Sequence, residues 1–340
     1  MKKLSKKPGN LCLMLTLNLL LLGVVFLTVG KYPISIKESI MIIANRILPL
    51  NLNFPPAMET VVFNVRLPRI IAAILIGGCL SAAGSAYQGI FNNPLISPDI
   101  LGATAGSSFG ASLAIVMSGS IAAIQVSSFL FGLLAVFAAC LISVKVKHGN
   151  QILILILSGI LTSTVFNSLV SLIKFIADPE VRLPAITFWL LGSLASVGLE
   201  DVKLLTVPCL TGITMLFLLR WNLNVLSFSD DEAKTLGIDT NRVRLIIIFF
   251  STLMTSAAVS ISGVIGWIGL VIPNLTRIMI GPDYRTLLPA SFLIGGTYLL
   301  IIDTIARTLF PVEIPLGIIT SLIGAPFYIW LLAREGRNMS

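Results

Sequence analysis

Apolar runs, each about long enough to cross a lipid hydrocarbon core, alternate with short polar stretches along the whole chain. A spanning helix needs roughly 20 mostly apolar residues. On that rule spans fall near residues 11–30, 68–88, 100–117, 122–144, 151–173, 203–220, 244–262, 264–280, 287–302 and 314–333. The expected fold is an all-α polytopic membrane protein of about ten transmembrane helices. No linker or low-complexity tract divides it, so residues 1–340 read as a single transmembrane domain. One more apolar piece, residues 183–199 (LPAITFWLLGSLASVGL), is short and broken by Pro184, Gly192 and Gly198. Were it a span, every later loop would change side. Arg220, Lys234, Arg242, Arg244, Arg334 and Arg337 would then lie outside, against the enrichment of Lys and Arg in cytoplasmic loops. It is read as a short re-entrant or external helix, which protein or a water-filled cavity must cover. Ten spans place both termini in the cytoplasm, with most of the 23 Lys and Arg residues on that side.

The first run follows MKKLSKKPGN, a basic start like that of a signal peptide. It exceeds the ~7–15 residues of an h-region, and no small-x-small site precedes Lys31, so a retained first span is expected. Gly and Ser are dense in GGCLSAAGSAYQG (residues 77–89) and GATAGSSFGAS (residues 102–112), which suits close helix packing where lipid supplies no hydrophobic drive to associate.

Composition sharpens the class. The chain is 56% hydrophobic and 11% charged, with a mean hydropathy of +0.98, against roughly one-quarter charged residues in a soluble domain. The net charge of +8 follows from topology, and no nucleic-acid partner is expected. Cys12, Cys79, Cys140 and Cys209 sit inside apolar runs at no ligand spacing and read as small buried hydrophobes. The single histidine, His148, lies in a loop and reads as solvated. No cluster able to hold a metal, no cofactor fingerprint and no GxSxG elbow occurs. Nor is there a GxxxxGK[ST] loop, so the chain has no P-loop ATPase site of its own. An ion-coupled carrier would show carboxylates within its spans, whereas Asp303 and Glu313 fall at span ends, which weakens that alternative.

The longest inner loop carries SFSDDEAKTLGIDTNRVR (residues 227–244). Asp230, Asp231 and Glu232 favour a helix start through its dipole, residues 233–236 form its body and Gly237 ends it. Ala233 and Leu236 would then be presented on one side. An ordinary charged spacer between spans six and seven fits the local signals equally well.

Four blocks carry a more specific resemblance: residues 66–111 (RLPRIIAAILIGGCLSAAGSAYQGIFNNPLISPDILGATAGSSFGA), 232–238 (EAKTLGI), 262–289 (SGVIGWIGLVIPNLTRIMIGPDYRTLLP) and 313–332 (EIPLGIITSLIGAPFYIWLL). In this order they resemble the permease subunits of ABC importers for iron chelates and cobalamin. The resemblance implies ten spans, an inverted repeat relating spans 2–5 to spans 7–10, and two permease copies flanking a central path. Their partners would be an ATP-binding cassette ATPase dimer and an external substrate-binding protein. It implies that Glu232, Ala233, Leu236 and Gly237 belong to a coupling helix that docks in the ATPase, and that Asn93, Pro94 and Leu95 line the inner gate. On local signals those three make a plain helix-ending turn. It further implies that Arg66 and Arg307 meet acidic groups of the binding protein; Arg69 reads equally as a docking residue or as a headgroup anchor. Asn274 stands where such permeases often carry His and receives no role. The expected function is inward passage of a chelated iron compound, an iron–siderophore being favoured and heme or cobalamin the alternatives, through a bacterial inner membrane.

Overall fold

A computed structural model describes residues 8–48, 52–117, 119–146, 149–228 and 230–339. His148, Lys147 and the basic residues of the first seven positions lie outside them. The described residues form helices and irregular connections, without strands. Ten helices correspond to the ten expected spans: α1 (Pro8–Phe26), α4 (Leu67–Ile90), α5 (Ala103–Met117), α6 (Ile121–Lys145), α7 (Gln151–Ile176), α9 (Leu199–Leu218), α12 (Thr240–Ser262), α13 (Ile268–Ile280), α14 (Tyr284–Thr308) and α15 (Leu316–Met339). Seven are long and apolar enough to cross a membrane by themselves, and α5, α13 and α15 are shorter apolar segments. Five further helices lie between them: α2 (Ile36–Ile47), α3 (Pro56–Thr60), α8 (Arg182–Leu190), α10 (Arg220–Leu226) and α11 (Asp230–Thr235). The piece at residues 183–199 is thus a short helix and a loop rather than a span. Its loop is tied down, with Ser193 N–H donating to Ser262 O at 2.8 Å and Leu316 N–H to Gly192 O at 2.9 Å.

Side chains set many helix starts. Asn150 Oδ1 accepts from the Ile152 and Leu153 N–H groups, Asp239 from Arg242 N–H and Asp283 from Arg285 N–H, satisfying donors that a first turn leaves open. Helix α2 begins in a capping box between Ser35 and Glu38. The Ser35 hydroxyl and backbone N–H hold the Glu38 carboxyl below its ordinary range. That S-x-x-E signal was available in the sequence; a π-helical turn, Val61–Arg66, which extends α4 backwards, was not.

The internal repeat is visible in helix lengths. Helices α4, α5, α6 and α7 have 24, 15, 25 and 26 residues, and α12, α13, α14 and α15 have 23, 13, 25 and 24. In each set the second helix is the short one, and it starts from a residue with positive φ, Gly102 at +90° and Trp267 at +72°. These irregular entries shift the third and eighth helices from the expected 100–117 and 264–280 to 103–117 and 268–280.

Helix α4 is the centre of the body, packed by α9, α12, α13 and α14. Contact this close requires glycine. A methyl group at Gly84 would sit 1.9 Å from the Gly269 carbonyl oxygen of α13, and one at Gly77 would sit 2.3 Å from the Gly295 carbonyl oxygen of α14. Polar ties accompany the contact: Ser85 Oγ donates to Ser291 Oγ at 2.8 Å, and the Tyr284 hydroxyl donates to Ser85 O at 3.1 Å.

At the start of α4 an ionic knot joins three elements. Arg69 Nε donates to both Asp303 oxygens at 2.9 and 3.0 Å, and Nη1 and Nη2 donate to Glu313 at 3.0 and 2.9 Å. Asp303 belongs to α14 and Glu313 to the connection into α15. A guanidinium suits this because its planar fork satisfies two carboxylates at once.

Two outcomes test this packing. Gly84→Ala should lower the thermal stability of the detergent-solubilised protein by about 1–3 kcal/mol, the usual range for overpacking. Gly266→Ala, where a methyl group meets nothing within 4 Å, should leave the melting temperature near wild type. Arg69→Gln strands two carboxylates and should cost about 3–5 kcal/mol, read as loss of monodisperse protein on size-exclusion chromatography.

Candidate functional site

Two polar cavities lie at opposite ends of α4, and a short helix stands beside one of them. The cavity at the start of α4 has a volume of about 210 Å³, and its charged lining is Lys31, Arg66, Arg69, Asp303, Arg307 and Glu313. Four cations face two carboxylates, so the cavity favours an anionic visitor. The resemblance assigned Arg66 and Arg307 to docking, and Arg69 read equally as a docking residue or a headgroup anchor. The structure brings all three into this cavity but leaves them only 3%, 6% and 9% exposed. Arg66 donates to the carbonyls of Leu27 and Tyr32, and Arg307 Nη2 donates to Phe26 O at 3.1 Å. Both guanidinium groups lie against Gly30, where a methyl group would come within 2.9 Å of Arg66 Nη2 and 3.2 Å of Arg307 Nη1. Arg307 Nε sits 3.8 Å from Asp303 and makes no hydrogen bond among the described residues. Within the chain the fork of Arg69 is taken up by Asp303 and Glu313.

The second cavity, about 390 Å³, lies at the end of α4, and its lining includes Gln88, Asn92, Asn93, Pro94, Asn274 and Arg277. Here the sequence brought Asn93, Pro94 and Leu95 forward, and the structure shows how they are held. Helix α4 stops at Ile90, and Asn93 Oδ1 accepts from Leu95 N–H at 2.9 Å, closing a local turn. Asn274, to which the sequence gave no role, donates through Nδ2 to Pro94 O at 2.8 Å. Its Oδ1 accepts from Arg277 Nη1 at 2.9 Å, and the same nitrogen reaches Gln88 Oε1 at 3.0 Å. An amide with a donor and an acceptor thus bridges the turn to α13 and α4.

Helix α11 stands on the same face. Gly237 adopts φ +78°, its N–H donates to Lys234 O at 2.9 Å, and Ile238 N–H donates to Ala233 O at 3.2 Å. This is a Schellman closure, which needs the left-handed residue that glycine supplies. The expectation that Ala233 and Leu236 share an exposed side is corrected here. Ala233 is fully buried in a small apolar cluster with Val225 and Ile238, whereas Leu236 is 59% exposed. A spacing of three puts two residues on one face only while the helix continues, and α11 ends at Thr235. Glu232 is exposed on the same short helix.

Sequence reasoning missed a polar stripe on α7. Thr164, Asn167, Ser168 and Ser171 are exposed, mid-helix, on an otherwise apolar span. The three hydroxyls donate to carbonyls one turn back, but an asparagine amide turned to lipid would be unsatisfied and costly. This stripe fits a face that meets water or another chain. Its signal, TSTVFNSLVS, was present but was averaged away by the surrounding leucines and isoleucines.

The FecCD transport family profile matches residues 18–334. The molybdate import system permease protein MolB of Haemophilus influenzae is 41% identical over 95% of this chain and 96% of its own. A probable iron chelatin transport system permease protein of Helicobacter pylori is 40% identical over 82% of this chain and 84% of its own. The hemin transport system permease protein HmuU of Yersinia pestis is 36% identical over 84% and 86%. Among solved structures, one described as a metal-chelate type ABC transporter in an inward-facing conformation superposes with a TM-score of 0.86 at 39% identity, covering 96% of this chain and 99% of that one. This integral membrane chain belongs to the FecCD transport family.

Proposed function

We propose that the chain is the permease subunit of an ABC importer that passes a chelated iron compound, an iron–siderophore first among them, into the cytoplasm. The observation that carries this reading is α11. It is a short helix seated by Ala233, closed at Gly237, and offering Leu236 to a partner from a body that has no nucleotide loop of its own. The face bearing α11, and with it both termini, is cytoplasmic in this account, and an ATPase dimer seats on α11. A second permease copy completes the path, with the Thr164–Ser171 stripe of α7 turned toward it. Asn93, Pro94 and Leu95 close the inner end of that path. The cationic cavity around Arg66 and Arg307 receives acidic groups of an external substrate-binding protein at the other end, while Arg69 acts within the chain.

A second cargo, a molybdate-type oxyanion, is favoured by the Haemophilus relative, which matches almost end to end. A stripe of neutral hydroxyl and amide groups can stabilise either an oxyanion or the polar rim of a wrapped metal without holding it too tightly to leave. The deciding experiment reconstitutes the permease with its ATPase and binding protein in proteoliposomes. It measures ATP-dependent uptake of labelled iron–siderophores, hemin, cobalamin and molybdate. Uptake of the iron chelate supports the first reading and uptake of molybdate alone supports the second. Uptake by the permease alone, driven by an ion gradient, overturns both.

Two variants test the partners. Leu236→Asp puts a charge into an apolar contact and should weaken ATPase association by at least about 2 kcal/mol, roughly thirtyfold. Membrane insertion should remain normal. ATPase retained on the tagged variant as on wild type would reduce α11 to a spacer. Arg66→Glu combined with Arg307→Glu should weaken binding-protein affinity most at low salt, where charge steering is strongest. A salt series in which affinity never differs from wild type would remove these arginines from docking.

A further inference from the structure

The turn after α4 is fastened to both flanks of α11, and one side chain makes the upstream fastening. Asn92 follows α4 at φ +49°, a left-handed conformation that asparagine tolerates better than most residues. Its Nδ2 donates to Leu226 O at 3.0 Å and to Phe228 O at 3.1 Å. Leu226 is the last residue of α10 and Phe228 lies two residues before α11. A helix end leaves carbonyls without partners, and one amide nitrogen with two hydrogens serves two of them. Downstream of α11, the buried Arg244 of α12 donates through Nε to Ile90 O at 3.3 Å. The end of α4 is thereby held at residues 90 and 92 by the two arms that carry α11. Of the residues that follow, Asn93 and Pro94 line the inner cavity, and Leu95 N–H closes the turn on Asn93 Oδ1.

Resting on the reading of α11 as the ATPase seat and of Asn93, Pro94 and Leu95 as the inner gate, we propose that Asn92 is the positioning residue that passes displacement of α11 to the gate. The chemistry specifies the residue closely. The site asks for a left-handed backbone, a short reach and two donors facing two carbonyl oxygens. Glycine supplies only the first of these. Aspartate has the size and tolerates the backbone, but its oxygens would face the carbonyl oxygens and repel them. Displacement of α10 and α11 pulls on Asn92 through both carbonyls, and its covalent neighbour is the first gate residue. Asn274, bonded to Pro94 O from α13, is the stationary side of the same turn.

The test uses the full complex of permease and ATPase in proteoliposomes, with Asn92→Gly and Asn92→Asp compared with wild type. Uptake per ATP hydrolysed is measured with the cargo that wild type carries. Spin labels at Leu95→Cys in the two copies, with the four native cysteines replaced, report the gate distance with and without nucleotide. Loss of a relay should lower uptake per ATP by about fivefold or more, the usual floor of a coupling effect, while ATP hydrolysis continues. The nucleotide-dependent distance change at Leu95, present in the otherwise wild-type chain, should disappear in both variants. Variants that lose uptake and hydrolysis in proportion, or that keep the Leu95 response, would overturn the relay and leave the gate standing. A Leu95 distance that ignores nucleotide even with Asn92 in place would overturn the gate reading and the relay with it.

Discussion

Backbone-to-backbone contact along α4 is the constraint on which the rest of this structure depends. In lipid, apolar side chains gain nothing by leaving one apolar solvent for another, so helix association rests on close packing and on hydrogen bonds. Gly77 against Gly295 and Gly84 against Gly269 bring α14 and α13 to distances that no side chain would permit. The hydroxyls of Ser85, Ser291 and Tyr284 then bond across the gap. The two cavities are placed with reference to this core, because each lies at one end of α4.

The two ends differ in the kind of interaction that holds them. At the start of α4, Arg69 is locked to Asp303 and Glu313 by charge-assisted bonds at 2.9–3.0 Å. A buried ion pair of this kind is costly to break and fixes one arrangement. At the other end the turn after α4 hangs from amide-to-carbonyl contacts made by Asn92 and Asn274, with the Arg244 guanidinium donating to Ile90 O just before it. Such bonds exchange with water at little net cost. An end meant to move is better held this way, and a docking end is better held by the knot.

Much of the fold was legible in the sequence because hydropathy over twenty residues is a local property. A helix appears at each of the ten expected spans, seven of them long and apolar enough to cross a membrane, and the broken piece at residues 183–199 forms a short helix and a loop. The short starts of α5 and α13 were not legible, since they depend on left-handed turns at Gly102 and Trp267. Long-range pairing was invisible as well. Arg69 looked like a surface cation because its partners lie 234 and 244 residues away. The motif at residues 232–238 was legible as a helix ended by glycine, but not that Ala233 faces inward, because that depends on where the helix stops. The α7 stripe was missed for a different reason: four polar residues in a run of leucines barely change a hydropathy average, yet their exposure changes what the helix faces.

The account separates a rigid core from one mobile face, and hydrogen exchange on the reconstituted complex examines that division directly. Amide exchange would be followed by mass spectrometry with and without bound nucleotide. The account predicts that residues 91–96 and 226–238 change together on nucleotide binding, while α4 and the second half of α14 stay protected in both states. Exchange that changes along α4 itself, or that changes at residues 226–238 without any response at residues 91–96, would contradict it.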